Sequence, residues 1–325
     1  MNTATRLALY GAALVAVFGA AFVLAAAVVP DRVARDWTTS AEHAAHTPTD
    51  TAAAPVAEAP PVRGVSIAAD GYALTAVVAP TRVGESGELV FTITGPDARP
   101  VTGFATSHDK PLHAIIVATD GSNYRHVHPT MDAAGRWSLP WQWPAAGSYR
   151  IFADFVPAAT GTNITLTSTV TVAGEVTSPA PRPRSTLDEV ARYQVTLDGD
   201  LTTTGTSTLT VRVSRDGQPV TTLEPYLGAY GHLVALREGD LAYLHVHPEG
   251  AAPAGPEQLS GPDVQFATAA PTPGRYLLYF DFQVDGQVHT AEFVLNAAGP
   301  AASTPAAPTA SPPPAPASTD AHGGH

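Results

Sequence analysis

The sequence predicts an all-β protein in which two tandem immunoglobulin-like β-sandwich domains follow one N-terminal transmembrane helix. Three observations support this prediction. Short segments rich in Val, Thr, Ile, Tyr and Phe alternate in polarity and are separated by turn residues. No stretch inside either block combines a helical period with caps. Residues 97–129 also align without a gap with residues 216–248, at a constant offset of 119, which indicates a duplicated module.

The first element is an uncharged apolar run of 23 residues, Leu7–Val29. A helix of that length spans a hydrocarbon core of about 30 Å. We therefore expect a cytoplasmic N-terminus at 1–6 and a transmembrane anchor at 7–29. The alternative is a signal peptide, cleaved near Ala25-Ala26-Ala27, which would leave the domains secreted. Charges at the two ends of the run are nearly balanced, so the orientation is inferred from the rest of the chain. Its low charge and Pro-rich linkers are typical of exported domains, and we place them on the extracytoplasmic side.

Composition divides the remainder of the chain into folded blocks and connecting segments. Stretches rich in Pro and Ala, without apolar periodicity, predict flexible connections. Each block between them has room for about seven or eight strands, as a sandwich requires. The expected segments are a stalk at 30–62, a first sandwich at 63–174, a Pro-rich linker at 175–185, a second sandwich at 186–297 and a disordered tail at 298–325.

Composition also limits the partners and the chemistry. The formal net charge is −12, and no basic patch is available to replace the counterions of nucleic-acid phosphates, so nucleic acid is not an expected partner. The chain has no cysteine, which excludes disulfides and thiolate metal sites. Its two methionines, Met1 and Met131, disfavour a thioether-rich Cu(I) site.

Both blocks carry the same histidine pattern, in which one histidine is followed 13 residues later by His-x-His-Pro. Three imidazoles at fixed spacing, repeated twice, predict one metal site per domain. The candidate ligands are His113, His126 and His128 in the first block, and His232, His245 and His247 in the second.

Strand pairing explains how the three imidazoles could meet. Asp120-Gly121, between two β segments, predicts a two-residue hairpin turn. Pairing about that turn makes opposed residue numbers sum to 241, so that His113 faces His128 and Ile115 faces His126. The equivalent sum in the second block is 479. Residues i and i+2 share a face, and opposed Cβ atoms lie about 5 Å apart, so one cation could contact all three rings.

The face of the hairpin that carries the histidines is otherwise apolar, with Ile115 and Val117 in the first copy. We therefore expect it to be the inner face of the sandwich, with the metal site at one end of the core. A shielded neutral histidine needs a partner for its second ring nitrogen. Asp154 and Asp281 are the candidates, either as a fourth ligand or as the group that fixes an imidazole tautomer.

The remaining histidines give weaker signals. His108 lies five residues before His113, but the matched position in the second copy is Leu227, so a ligand role for His108 would be confined to the first module. His289 has no histidine counterpart. A structural interpretation of the whole motif also stays open, because buried histidines bonded to aspartate or backbone can simply pin a sandwich together.

The second copy carries motifs of a known family. Residues 230–249 read Tyr-Gly-His-Leu-Val-Ala-Leu-Arg-Glu-Gly-Asp-Leu-Ala-Tyr-Leu-His-Val-His-Pro-Glu, and residues 274–282 read Gly-Arg-Tyr-Leu-Leu-Tyr-Phe-Asp-Phe. They resemble a bacterial, actinobacterial-type family of exported tandem β-sandwich proteins with His-x-His-Pro repeats, close to the YtkA-like group. Residues 112–117 and 125–129 of the first copy are similar. The resemblance implies an exported, metal-related protein associated with copper-handling partners.

The sequence thus favours a membrane-anchored, extracytoplasmic, copper-handling protein with one histidine-based site per domain. Nitrogen ligands without sulfur favour Cu(II), with Zn(II) as the alternative. Expected partners are the membrane, through the N-terminal helix, and metal-handling proteins. The competing hypothesis is a non-catalytic structural or protein-interaction module. We do not expect an enzyme, because Gly-x-Ser-x-Gly, phosphate-loop, dinucleotide and His-Glu-x-x-His motifs are absent from the sequence.

Overall fold

Residues 61–177, 180–244 and 246–299 are described by a computed structural model, in which the side chain of His247 is left out. The predicted N-terminus, membrane anchor, most of the stalk, and the tail from residue 300 lie outside the described residues. Within the described part, every regular element is a β-strand. No helix there has the length and apolar character that crossing a membrane requires.

The first sandwich contains ten strands in two sheets. They are β1 (Ala68–Ala69), β2 (Tyr72–Val78), β3 (Gly87–Thr94), β4 (Phe104–Ala105), β5 (Leu112–Ala118), β6 (Arg125–Val127), β7 (Thr130–Met131), β8 (Arg136–Trp141), β9 (Gly147–Pro157) and β10 (Ile164–Val172). One sheet has the order β1-β2-β3-β8-β7 and the other β10-β9-β5-β6, with β4 added beside β9.

The second sandwich repeats this plan with eleven strands. They are β11 (Leu187–Val190), β12 (Tyr193–Asp198), β13 (Leu201–Thr202), β14 (Ser207–Arg215), β15 (Gln218–Pro219), β16 (His232–Arg237), β17 (Tyr243–Leu244), β18 (His247–Pro248), β19 (Asp263–Thr268), β20 (Gly274–Val284) and β21 (Gln287–Ala298). Its sheets run β11-β12-β14-β19-β18 and β13-β21-β20-β16-β17, with β15 beside β14.

The strand orders identify the sandwiches as immunoglobulin-like. Strands β2-β3-β8-β7 correspond to the A-B-E-D sheet of that fold and β10-β9-β5-β6 to its G-F-C-C′ sheet, and the second sandwich matches in the same way. Pairing is antiparallel throughout the described strands except between β13 and β21. The predicted fold class is therefore confirmed for the two tandem sandwiches.

Each sandwich has a core between its own two sheets. In the first, Leu112, Ala114 and Ile116 point inward from β5 and pack with aromatic residues such as Phe91 and Trp137. The second core is built in the same way from Leu233 and Ala235 of β16 and the aromatic residues of β19 and β20. Alternate residues of each strand thus fill the inner layer.

A third core lies between the two sandwiches. Ile115, Val117 and Phe152 on the outer face of the β10-β9-β5-β6 sheet are buried against residues of the second sandwich, among them Leu277 and Tyr279. The expectation that the histidine face is the inner face of its own sandwich is therefore wrong. That face is the outer one, and the other domain shields it from water.

Specific contacts reinforce this third core. The rings of Tyr124 and Tyr279 stack with centroids 4.0 Å apart. The Tyr279 hydroxyl donates a hydrogen bond to the Gly121 carbonyl at 2.6 Å. From the linker, Arg182 donates to the same carbonyl at 2.9 Å and pairs with Glu292 of the second sandwich. The hairpin turn of the first sandwich is thus tied to both the linker and the second domain.

We predict that Gly121→Ala destabilises the docked molecule. Gly121 has φ +82°, and an added Cβ would overlap Leu277 and lie 2.5 Å from Nη2 of Arg182. We expect a loss of about 2–3 kcal/mol in the free energy of unfolding, since strain and overpacking add. The control is Gly217→Ala, at an Asp-Gly turn with φ +74° and no atom within 4 Å of the added Cβ; it should cost about 1 kcal/mol. Equal losses in urea titrations of the two variants would contradict the close contact.

Candidate metal centre

The β5–β6 hairpin has the predicted register. Ala114 pairs with Val127 and Ile115 with His126, so paired numbers sum to 241 as expected. In the second sandwich Leu236 pairs with Tyr243, which gives the expected sum of 479. The register therefore places His126 on the face that carries Ile115, and His128, two residues later, follows on the same face.

The turn of the first hairpin differs from the prediction. The amide of Ala118 donates to the carbonyl of Ser122, which closes a loop of three residues rather than two. Asn123 then takes a positive φ of +53°, and one extra residue on that side restores the register before Ile116 pairs with Arg125. Such a bulge compensates for an odd-numbered loop, so the predicted pairing is right although the predicted turn is not.

The three histidines of the first block meet at the open end of this hairpin. Nδ1 of His113 lies 3.0 Å from Nε2 of His126 and 3.1 Å from Nε2 of His128. All three nitrogens lie within 4.8 Å of one another. Strand β5 carries His113, and the returning segment carries the other two at positions i and i+2, which share a face.

Outer hydrogen bonds fix the tautomers of two of these rings. Nε2 of His113 lies 2.9 Å from the carbonyl oxygen of Ser107, so Nε2 must carry the hydrogen and Nδ1 the lone pair. Nδ1 of His126 lies 2.9 Å from Oδ2 of Asp281, so its Nε2 carries the lone pair. While both rings are neutral, two lone pairs therefore face each other across 3.0 Å, which is repulsive unless a proton or a metal ion lies between them.

Burial keeps two rings of the trio, His113 and His128, neutral. It lowers the pKa of His113 to about 4, although the bond to the Ser107 carbonyl acts in the opposite direction. Burial, followed by the neighbouring His126, lowers the pKa of His128 to about 2. The equivalent of His113 in the second sandwich is His232, whose pKa burial lowers to about 3. Neutral imidazole is the form that binds metal ions.

Asp281 joins the site from the other sandwich. It is opposite His232 in the β16–β20 register, yet its carboxylate accepts a hydrogen bond from His126 of the first domain. Asp154, its equivalent, is opposite His113 and accepts from Asn163 and Thr165. Sequence analysis predicted both aspartates as candidate partners of the histidines. It did not predict that Asp281 contacts a histidine of the other domain.

His108 and His232 lie beside the trio. The His108 ring centroid is 6.2 Å from that of His113 and 5.3 Å from that of His232. Together with His126 and Asp154 they bound a cavity of about 40 Å³ at the domain interface. Since one water needs at least about 10–15 Å³, this cavity can hold an ion with a water molecule.

The second trio is only partly described. His232 repeats the bond of His113, because its Nε2 lies 2.8 Å from the Tyr226 carbonyl, and Tyr226 corresponds to Ser107 at the offset of 119. His245 and the side chain of His247 lie outside the described residues. The backbone of His247 pairs with Ala267 of β19 in the opposite sheet.

The comparisons assign a family. A family model described as Domain of unknown function (DUF8832) matches the chain twice, at residues 67–174 and 188–299. The chain belongs to this family. No curated protein matches. The two matched segments coincide with the two sandwiches, and the family description names no catalytic activity.

Solved structures show only remote likeness. Salmonella alpha-2-macroglobulin is 16% identical over 73% of this chain, with a TM-score of 0.24, and the match covers 15% of that protein. Fibronectin(III)-like modules of Clostridium thermocellum CbhA are 11% identical over 70% of this chain and 92% of theirs, with a TM-score of 0.18. A putative membrane-anchored protein of Corynebacterium diphtheriae is 11% identical over 71% of this chain and 60% of its own length, with a TM-score of 0.21.

The lowered pKa values predict acid sensitivity of the metal-free protein. An unfolded histidine binds its proton near pH 6.5, whereas folded His113, His128 and His232 stay neutral to pH 4 or below. The unfolded state therefore takes up more protons as pH falls below about 6.5. Stability is full above that pH and is lost progressively towards the folded pKa values.

Urea unfolding in EDTA between pH 7.5 and pH 5 measures this loss. His232→Gln, which keeps a donor for Tyr226, should reduce the slope by up to one proton, or about 1.4 kcal/mol per pH unit. A free energy of unfolding that stays constant over this range would contradict the burial of neutral rings.

Proposed function

We propose that the protein is a membrane-anchored, extracytoplasmic, metal-binding protein, and that His113, His126 and His128 form its cation site. One observation carries this proposal. Two buried imidazoles, with tautomers fixed from outside, direct lone pairs at each other across 3.0 Å. A metal ion between them would replace this repulsion by two coordinate bonds.

The spacing of the ring nitrogens suits a small transition-metal ion. Metal–nitrogen bonds of about 2.0–2.1 Å at tetrahedral angles separate ligand nitrogens by roughly 3.3 Å. The separations from His113 to its two neighbours are 3.0 and 3.1 Å, so a shift of a few tenths of an ångström would admit the ion. Three protein ligands would leave a fourth position, and the adjoining cavity offers space for water there.

The ligand chemistry favours Cu(II), with Zn(II) as the alternative. Imidazole suits both ions, and at equal geometry Cu(II) binds nitrogen ligands more tightly. The chain has no cysteine, so the softer thiolate sites are unavailable. The resemblance of its His-x-His-Pro motifs to the YtkA-like group also favours a copper-handling role, with metal-handling proteins as partners.

The duplication extends the proposal to one site per sandwich. His232 holds its ring as His113 does, through Nε2 and a carbonyl six residues earlier. With the hydrogen on Nε2, its Nδ1 carries the lone pair that a cation requires, and the repeated motif would supply His245 and His247 as the other two ligands. The apolar run at 7–29 would anchor both domains on the extracytoplasmic side of the cell membrane by a single pass.

Metal uptake by the full chain in mild detergent tests the trio. Parent and variants carry alanine in place of the stalk and tail histidines, which are His43, His46, His322 and His325. These substitutions prevent weak metal binding outside the sandwiches from being counted. After dialysis against Cu(II) or Zn(II), elemental analysis of the double variant His126→Ala with His128→Ala should give one equivalent less than the parent.

Two further variants control this experiment. His128→Gln removes one ligand from a partly exposed position and should weaken binding without unfolding the protein. His289→Ala lies outside the trio and should retain the parent's stoichiometry. Absence of uptake by the parent, or uptake unchanged in the double variant, would refute the proposed site.

A structural role is the second candidate, and one contact favours it. The hydrogen bond between His126 and Asp281 crosses the domain interface with both side chains nearly inaccessible, at 6% and 3% exposure. Neutral imidazoles could there hold the two sandwiches together through hydrogen bonds. In that case the protein would be a spacer or an interaction module, and the motif would need no cation.

Thermal melting separates the two candidates. A cation present at 100 times its Kd stabilises a folded protein by about 2.7 kcal/mol, which corresponds to a rise in Tm of about 5–10 °C for a chain of this size. We expect that rise on adding Zn(II) to EDTA-treated parent protein, and a smaller rise in the double variant, which keeps only the proposed site of the second sandwich. An unchanged Tm in both would favour the structural role.

A further inference from the structure

The candidate site is built from both sandwiches. All three ring nitrogens belong to the first domain, but the carboxylate that fixes His126 comes from β20 of the second. The two domains meet there through a buried apolar core and the stacked pair Tyr124 and Tyr279. The geometry of one ligand therefore depends on the contact between domains.

We propose that Asp281 is a positioning residue for His126, so that cation affinity depends on docking of the two sandwiches, and separating them releases the cation. This inference rests on the proposed function. It adds a means of regulating the site, because any event that parts the domains would weaken binding without touching a ligand.

Asp281 is well placed for this role. Its side chain is held on one side by the Thr290 hydroxyl, which donates to Oδ1 at 2.6 Å. The other oxygen, Oδ2, accepts from His126 at 2.9 Å and from the Tyr124 hydroxyl at 3.5 Å. This arrangement keeps the hydrogen of His126 on Nδ1 and directs the lone pair of Nε2 towards the trio. In an undocked first domain, the ring would be free to rotate and to change tautomer.

The negative charge of Asp281 also favours binding of a cation at the trio. Asp281 is only 2% exposed, and its described hydrogen-bond donors are all neutral while His126 is neutral. A cation on Nε2 of His126 would lie one imidazole away from this carboxylate, in a region of low dielectric where opposite charges attract strongly. The second domain thus contributes a counter-charge as well as a hydrogen bond.

Linkage makes the effect reciprocal. If docking raises cation affinity by some factor, bound cation must favour docking by the same factor. Groups that orient a metal-ligating histidine typically change affinity 10- to 100-fold when mutated. We expect a factor of that size here, since Asp281 supplies both orientation and charge.

Zinc affinity of the full chain tests the inference, measured at pH 7.5 by competition with a chromophoric chelator. All proteins carry the alanine substitutions in stalk and tail, together with His245→Ala and His247→Ala, so that the measured Kd refers to the first trio alone. Asp281→Asn preserves shape and an acceptor but removes the charge, and it should raise the Kd 10- to 100-fold. The control is Asp263→Asn, which removes an equal charge from an exposed pair with Arg212 and should change the Kd less than threefold.

A second variant separates the domains without touching the site. Leu277→Glu puts a carboxylate into the apolar core between the sandwiches, on the outer face of β20. We expect a larger radius of gyration by X-ray scattering, a similarly raised Kd, and partial recompaction on adding zinc. Near-ultraviolet circular dichroism checks that both sandwiches stay folded in this variant. If they unfold, the zinc Kd of Asp281→Asn alone tests the inference.

The outcomes distinguish this inference from the proposed function. If the parent binds no zinc, both fail. If the parent binds zinc and Asp281→Asn stays within threefold of its Kd, the cross-domain role is overturned while the site stands. A folded, expanded Leu277→Glu protein with the parent's Kd would likewise overturn the coupling to docking.

Discussion

The packing of two sheets through their outer faces is the constraint on which the rest of the molecule depends. Strand β5 is buried at all seven positions, because its inner face fills one sandwich and its outer face the contact between two. Burying apolar surface on both sides stabilises the sheet, but it also encloses polar groups on that outer face. His113 and Asp154 are enclosed in this way, so their hydrogen-bond partners must come from the protein.

The enclosure explains why the imidazoles are organised as they are. A buried polar group without a partner costs about 1–3 kcal/mol, and the outer nitrogens of His113 and His126 each have one, in the Ser107 carbonyl and the Asp281 carboxylate. The same bonds leave the inner nitrogens as acceptors only. Bonding the outer nitrogens therefore turns lone pairs towards one another at the centre of the cluster while the rings are neutral, a condition that a metal ion would relieve.

Local features of this protein followed from the sequence, and the relation between the domains did not. Hairpin register depends on side-chain alternation and was predicted, even though the turn uses three residues and a bulge at Asn123. The burial of the histidine face by a second domain was missed. A signal was present, since Leu112–Val117 has apolar residues on both faces, as is typical of strands buried on both sides. Nothing in the spacing, however, could pair His126 with a carboxylate 155 residues away.

The interface has the pattern of a symmetric dimer within one chain. In an isologous contact, residue i of one unit meets j of the other, and j meets i in return. Tyr124 stacks on Tyr279, and their duplicates, Tyr243 and Phe152, also form a ring pair, with centroids 5.8 Å apart. Such an exchange makes Asp154 the counterpart of Asp281. Two copies on one chain can then diverge separately, as His108 against Leu227 already indicates, while the shared contact makes the first domain dependent on the second for the carboxylate that holds His126.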